Sequence, residues 1–313
     1  MDTVRDPTLS SPTVTLPRHE LLGFGTNPGT LEDYLAFLAD RVGRGEPCTV
    51  LYHNLHSLYL YLSDPALRRA YAAHTVLVDG MPLIWLMRLA GLPVRREHRL
   101  TYVDFIGPMM RLARDEGWRV HHVGQDAETQ RRALERLRRE TPGLDIDGQH
   151  GYFDQSADSA ESLAVVDAMN AAGADLVLVG FGAPRQEAWI AAHRARIDAP
   201  AVLACGACME YVAGRVRTPP RLLGRLGLEW AFRLLENPRR FAFRYAVEPL
   251  LLGAILARNA VRDGPRAGPR DGLTAGVASG PGARGASERV ETLDEVSAGV
   301  AAAVPLEREP DRR

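Results

Sequence analysis

Two short stretches of this 313-residue chain hold residue types that could do chemistry. One is Asp79, set after the apolar run Thr75–Val78. The other is Arg185-Gln186-Glu187, set after Leu176-Val177-Leu178-Val179 and the turn Gly180-Phe181-Gly182. A carboxylate at the end of a strand is partly shielded from water, which raises its proton affinity and suits a general base. The same place suits Asp as the N-cap of a helix starting at Met81, and residue types alone leave both readings open. Asn54 follows another strand-like run and has an amide able to bond a sugar hydroxyl. In the second stretch, glycine permits a tight turn and Pro184 suits the first position of a helix, whose free N–H groups attract phosphate. The competing account is an ordinary strand-to-helix turn with a solvated polar cluster.

Hydrophobic spacing supplies the elements that must position these residues. Residues 31–44 have apolar residues at helical spacing, with Thr30 placed as a cap and Glu32 and Asp33 in the first turn. Residues 48–52 read as a strand leading into a helix through Leu62; residues 75–78 are a second strand, followed by an apolar helical segment over 81–92. The alternation then repeats. A strand over 119–123 turns at Gly124 into a helix over 127–140, and a strand beginning at 144–146 runs into His150-Gly151-Tyr152-Phe153. A helix over 159–172, the strand and helix of the second stretch, and a strand over 201–204 complete the series. This alternation predicts an α/β fold, a doubly wound, Rossmann-like parallel sheet, with ligands past the carboxyl ends of its strands.

Four parts are expected. Residues 1–26 are polar and proline-bearing and read as a flexible leader; 27–212 form the α/β core. Residues 213–259 form an arginine-rich, amphipathic helical appendage, and 260–313, rich in Gly, Pro, Ala, Arg and Glu without periodicity, read as a disordered tail. Between Arg215 and Arg258 nine arginines face three glutamates, interleaved with leucines and aromatic residues. Such a segment reads either as a membrane-surface element or as a helix packed on the core with an arginine-decorated outer face. Nucleic acid is disfavoured as a partner, because leucine and aromatic residues dominate between the arginines and the net charge is −1.

Several chemistries are excluded. All 38 basic residues are arginine, so a Walker-type phosphate loop and Schiff-base chemistry are ruled out. Cys48, Cys205 and Cys208 suit a reducing compartment, and Cys205-Gly-Ala-Cys208 is better read as small residues lining a turn than as a redox or zinc motif. Asp145-Ile-Asp147 matches a metal-holding D-x-D pattern but falls at the start of a strand or within it rather than after it, so its side chains need not face the ligand edge, and it is rejected as a metal site. His121 and His122 adjoin on a strand and point to opposite faces, which is wrong for a shared metal. The dinucleotide fingerprint is missing, since Gly180-Phe-Gly182 continues as Ala-Pro-Arg185. The first twenty residues lack the apolar centre of a signal peptide, and no run is long and apolar enough to span a membrane.

Taken in order, the segments Val78-Asp-Gly-Met-Pro82, Arg99-Leu-Thr-Tyr-Val-Asp104, His150-Gly-Tyr-Phe153, Gly182-Ala-Pro-Arg-Gln-Glu187 and the run from Ala213 through Trp230 to Tyr245 resemble the WecG/TagA/CpsF family of bacterial glycosyltransferases. The resemblance covers roughly residues 29–258. It implies a metal-independent, inverting transferase without a cofactor, moving a sugar from a UDP donor to a polyprenyl-diphosphate-linked sugar. Such an enzyme works at the cytoplasmic face of the cell membrane, as a peripheral protein. By the same resemblance, Asp79 is the base and Asn54 orients the sugar. Tyr152, Gly182, Arg185, Gln186, Glu187 and Glu210 surround the nucleotide sugar. The leaving diphosphate needs a cation where no metal is used, and Arg217, Arg221 and Arg225 are the candidates.

Three departures bear on the donor: Tyr52-His53-Asn54 where the family often has Thr-x-Asn, Glu210 in place of Asp, and Tyr102 in place of a common glycine. Donors of N-acetylmannosamine, its uronic acid or glucose are all compatible, as is self-association into a homo-oligomer. A non-catalytic nucleotide-binding protein on the same fold is the rival reading. The expectation for the appendage is that removing everything after about Val212 leaves a soluble, nearly inactive core.

Overall fold

Runs as apolar as Leu176–Gly180 are stable only where both faces of a sheet are covered, the situation of a parallel α/β sheet. The computed structural model, which describes residues 13–72, 74–218, 223, 229–263 and 268–269, has this architecture. The first elements are β1 (His19–Leu21), β2 (Phe24–Thr26), α1 (Leu31–Gly43), β3 (Cys48–His53), α2 (Leu55–Ser63), α3 (Pro65–Tyr71), β4 (Thr75–Val78), α4 (Met81–Leu89) and α5 (Tyr102–Asp115). Then come β5 (Arg119–Gly124), α6 (Ala127–Glu140), β6 (Asp145–Gln149), α7 (Ala160–Ala171), β7 (Leu176–Gly180), α8 (Arg185–His193), β8 (Ala201–Ala204) and α9 (Cys208–Val212). Helices α10 (Glu229–Glu236), α11 (Pro238–Ala246) and α12 (Glu248–Asp263) follow, and Gly268–Pro269 is a short strand, β9.

The large sheet has the order β4-β3-β8-β7-β5-β6, and every neighbouring pair in it is parallel. From β5 the chain crosses outward to β6, whereas from β7 it crosses the other way to β8. Right-handed crossovers therefore place α6 and α8 on opposite faces, and the edge opens between the ends of β5 and β7. Helices α1, α5, α6 and α9 pack together on one face, and α2, α3 and α8 on the other. The predicted α/β sheet is thus present, with Thr30 closing a capping box on α1 and Asp126 and Ser159 capping α6 and α7.

Two features differ from the sequence reading. Residues 19–26, assigned to a flexible leader, form an antiparallel β1–β2 hairpin whose Leu21 and Phe24 are buried. Three-residue strands are too short for an alternation pattern to register, and residues 1–12 lie outside the described residues. Second, the final helix does not present its whole apolar face outward. Leu252 and Leu256 of α12 join Leu21, Phe24, Leu58, Leu62, Met81 and Ile84 in a second core, separate from the one around the sheet. His56 Nδ1 lies 2.7 Å from Glu248 Oε2, and Asn259 donates to the Leu22 carbonyl at 2.9 Å. For this helix the packed reading holds. The expected tail from 264 onward lies outside the described residues, apart from β9, which pairs with β1.

Candidate active site

At the β4 and β3 ends the parallel ladder continues one residue: the Asp79 N–H donates to the His53 carbonyl at 2.8 Å. Asp79 is thereby held beside Asn54, whose Nδ2 lies 3.4 Å from Asp79 Oδ2. Asn54 also starts α2. Its Oδ1 accepts from the Ser57 N–H at 3.0 Å, while the Ser57 hydroxyl accepts from the Asn54 N–H at 2.8 Å. This closed capping box fixes the amide oxygen and turns the amide nitrogen toward the carboxylate. Asp79 stands one residue ahead of the cap position of α4, which Gly80 holds at φ 106°. Beneath the pair, the His53 ring stacks on Tyr71 at 4.6 Å, and burial, aided by Arg18, pulls its pKa down to about 3, so it stays neutral.

The next turns, at β8 and β7, are locked from below. The Gly206 N–H donates to Gln186 Oε1 at 3.0 Å, and Gln186 Nε2 donates to Glu187 Oε1 at 2.9 Å and to the Tyr52 hydroxyl at 3.3 Å. Sequence reasoning sets Gln186 and Glu187 beside the nucleotide; the structure buries both side chains under the edge. Helical phase is the reason. Gln186 shares a stripe with Trp189, Ile190 and His193, all turned inward, which leaves Arg185 exposed with its guanidinium on the Phe181 carbonyl at 2.7 Å. Desolvation raises the Glu187 pKa to about 6 in spite of the hydrogen bonds from Gln186 and Tyr71. Gly182 has φ 79° and faces open space.

Gln125 ties the turns together and sequence reasoning missed it. Its Nε2 donates to the Gly180 carbonyl at 2.9 Å and to the Gly206 carbonyl at 3.1 Å, from a left-handed backbone at φ 54°. The one signal in the sequence is its place between a strand-ending glycine and the capping Asp126. At the β6 end, Asp126, Ala127, His150, Tyr152 and Arg215 line an open cavity of about 530 Å3, a size within the roughly 300–1,000 Å3 of small-molecule sites. Tyr152 is 71% exposed there. Arg215 pairs with Asp126 and donates to the Thr129 hydroxyl at 3.0 Å, while its own N–H donates to the Glu210 carbonyl at 2.9 Å. It joins the half-buried Glu210, in the first turn of α9, to the Tyr152 cavity.

Tyr152 and Asp79 thus sit at opposite ends of one edge, on strands about 24 Å apart at ordinary strand spacing. Arg217 is exposed beyond α9; Arg221 and Arg225 lie outside the described residues. Asp145 stands at the opposite end of β6 from the ligand edge and Asp147 midway along the strand, beside Arg119 at 3.6 Å and His121 at 2.6 Å respectively. Cys205 and Cys208 are free, buried thiols, Cys208 at the start of α9 and pushed up to about 12 by desolvation. Among the described residues no three His, Cys, Asp or Glu side chains converge to hold an ion, and no helix is long and apolar enough to cross a membrane.

A Rossmann-like sheet with a carboxylate–amide pair and glycine turns along its carboxyl edge defines an α/β protein of the kind that binds ligands across its strand ends. Residues 19–265 match the Glycosyl transferase WecG/TagA/CpsF family, and the chain belongs to it. It is similar to an N-acetylglucosaminyldiphosphoundecaprenol N-acetyl-beta-D-mannosaminyltransferase of Bacillus spizizenii, at 28% identity over 171 residues, 54% of this chain and 63% of that protein. A protein of the same description from Staphylococcus aureus strain MW2 is 25% identical over 194 residues, 62% of this chain and 71% of that one. Two of the departures from the family pattern turn out to be neighbours: the Tyr52 and Tyr102 rings meet edge to face with centroids 6.0 Å apart.

Proposed function

We propose that the protein is an inverting glycosyltransferase that moves a sugar of N-acetylmannosamine or glucose type from a UDP donor to a polyprenyl-diphosphate-linked sugar, in cell-surface or exopolysaccharide assembly. The observation that carries this reading is the Asn54–Asp79 pair on adjacent strand ends, with the helix after Asp79 started by Gly80. Family membership and the relatives' descriptions, which name a lipid-linked acceptor and a β-mannosaminyl product, support it. Asp79 takes the proton from the acceptor hydroxyl as that oxygen bonds to the anomeric carbon. The bond from that carbon to the donor phosphate breaks, and its electron pair leaves with UDP. One displacement inverts the centre, and a base so placed contributes about 10²–10⁴-fold.

Asn54 holds the carboxylate and borders the sugar. Tyr152, Gly182, Arg185 and Glu210 flank the nucleotide, with Gln186 and Glu187 supporting the Gly206 turn from below. Arg217, Arg221 and Arg225 neutralise the diphosphates, so that no metal is required. The protein would act from the cytoplasm, peripheral on the inner membrane face, with α10 and α11 toward the lipid. The test is UDP release from a panel of UDP-sugars, with and without a short-chain polyprenyl-diphosphate sugar and with EDTA present. Acceptor-dependent release from one donor is the expected result. UDP binding without turnover across the panel, unaltered in Asp79→Asn, would support the non-catalytic reading instead.

A further inference from the structure

Helix α4 is apolar at every position but Arg88. Met81, Leu83, Ile84 and Met87 face the second core and Leu86 packs against it, while Trp85 and Leu89 lie on the outer face, 49% and 87% exposed. Scattered exposed apolar residues mean little, but here a Trp and a Leu stand one turn apart on a single stripe. Helix α12 packs on the same core through Leu252 and Leu256 and likewise turns Leu250 and Leu251 outward. Around the end of α4 the exposed charges are Arg88, Arg95 and Arg96 against Glu97, an excess of cations. Two helices on one core therefore show apolar side chains to the outside, edged by arginine.

We infer that the outer face of α4 seats Trp85 and Leu89 in the interface of an anionic lipid bilayer, a contact separate from the arginine-rich segment after residue 213. The inference rests on the reading of a lipid-linked acceptor. Tryptophan favours the boundary between headgroups and acyl chains, and arginine favours anionic headgroups. The geometry gives this contact a use. Asp79 immediately precedes the Gly80 cap, and at the helical rise Leu89 lies about 13 Å farther along the axis. A bilayer against this face would lie on the same helix that follows the base, within reach of an acceptor whose polyprenyl chain stays in the lipid.

Among the tryptophans Trp118 and Trp189 are buried, so Trp230→Phe leaves Trp85 as the exposed one. Its fluorescence on phosphatidylglycerol-containing vesicles is expected to shift to the blue and to be quenched by brominated acyl chains. Trp85→Ala/Leu89→Ser is expected to weaken vesicle flotation about tenfold or more. It should lower turnover of a long-chain acceptor in vesicles and leave turnover of a soluble short-chain acceptor unchanged. If full-length protein floats and Trp230 shifts while Trp85 does not, the inference is overturned and the lipid-linked reading stands. If neither shifts and nothing floats, that reading fails with it. A Trp85 shift that follows protein concentration without vesicles would assign the face to a second copy of the chain and also overturn the inference.

Discussion

The Tyr52 hydroxyl occupies the space that a side chain on Gly206 would need: a Cβ built there meets Tyr52 Oη at 2.7 Å. Gly206 also has φ 55°, so the turn after β8 is fixed twice, by backbone conformation and by the ring beneath it. Where the family often has threonine, this chain has the larger residue, and the glycine lies over it. The floor between Asn54 and the β7 turn is accordingly shaped by Tyr52, Tyr102 and Gln186 together.

Gly206→Ala is expected to destabilise the protein by about 2–4 kcal/mol, of which ~1–2 kcal/mol is left-handed backbone strain. In a Tyr52→Phe background the hydroxyl is gone, and the cost should fall toward the strain alone. Denaturant melts of the four proteins in the cycle measure this coupling; additive effects would show that the ring and the turn do not touch in solution.

Substitutions at Asn54 separate its two jobs. Asn54→Ser retains a cap on α2 and should melt close to wild type, yet lower kcat by about 10–100-fold through loss of the donor to Asp79. Asn54→Ala should lose activity similarly and about 1 kcal/mol of stability as well. Asp79→Asn should remove turnover while UDP binding, followed by calorimetry, persists.

Glu187 makes stability depend on pH in an unusual direction for a carboxylate. Burial raises its pKa from 4.5 to about 6 in the folded chain. The native state then holds a proton that the unfolded state has released, so its contribution is fully present below pH 4.5 and is lost as pH rises through 6. The loss amounts to about 2 kcal/mol. Glu187→Gln, which cannot ionise, should gain on wild type by about this amount between pH 4.5 and pH 7, as read from melts across that range. A constant difference would mean that Glu187 ionises freely in the folded protein.

Truncation after Val212 should not yield the soluble core that the sequence suggests. It uncovers Leu21, Phe24, Leu58 and Leu62, which α12 helps to bury. Expected are a lower melting temperature and binding of a hydrophobic dye. Leu252→Ala alone should cost about 2–5 kcal/mol as a cavity in this core. A truncated protein as stable as the full chain would show that α12 docks without contributing.

Much of the fold is legible in the sequence because the signals are local. The apolar run at Leu176–Gly180 and the Thr30, Asp126 and Ser159 caps each mark an element within a few residues. The β1–β2 hairpin was not legible, since three-residue strands carry no period. Helix α5 is less legible because Pro108 interrupts its local helical signal, although the apolar spacing of Phe105, Met109 and Met110 places it on the core.

By itself, the sequence determined the α/β alternation, the residues at the strand ends and the absence of lysine chemistry, all of which depend on residue type and near neighbours. The tertiary structure decided which of those residues meet. Strand order set Asn54 against Asp79 across 25 positions. The phase of α8 turned Gln186 and Glu187 inward and Arg185 outward. Packing on a second core divided the basic segment, burying Leu252 and Leu256 and leaving Leu250 and Leu251 exposed. These outcomes depend on contacts between residues far apart in the chain, and such contacts exist only once the sheet has closed and its layers have packed.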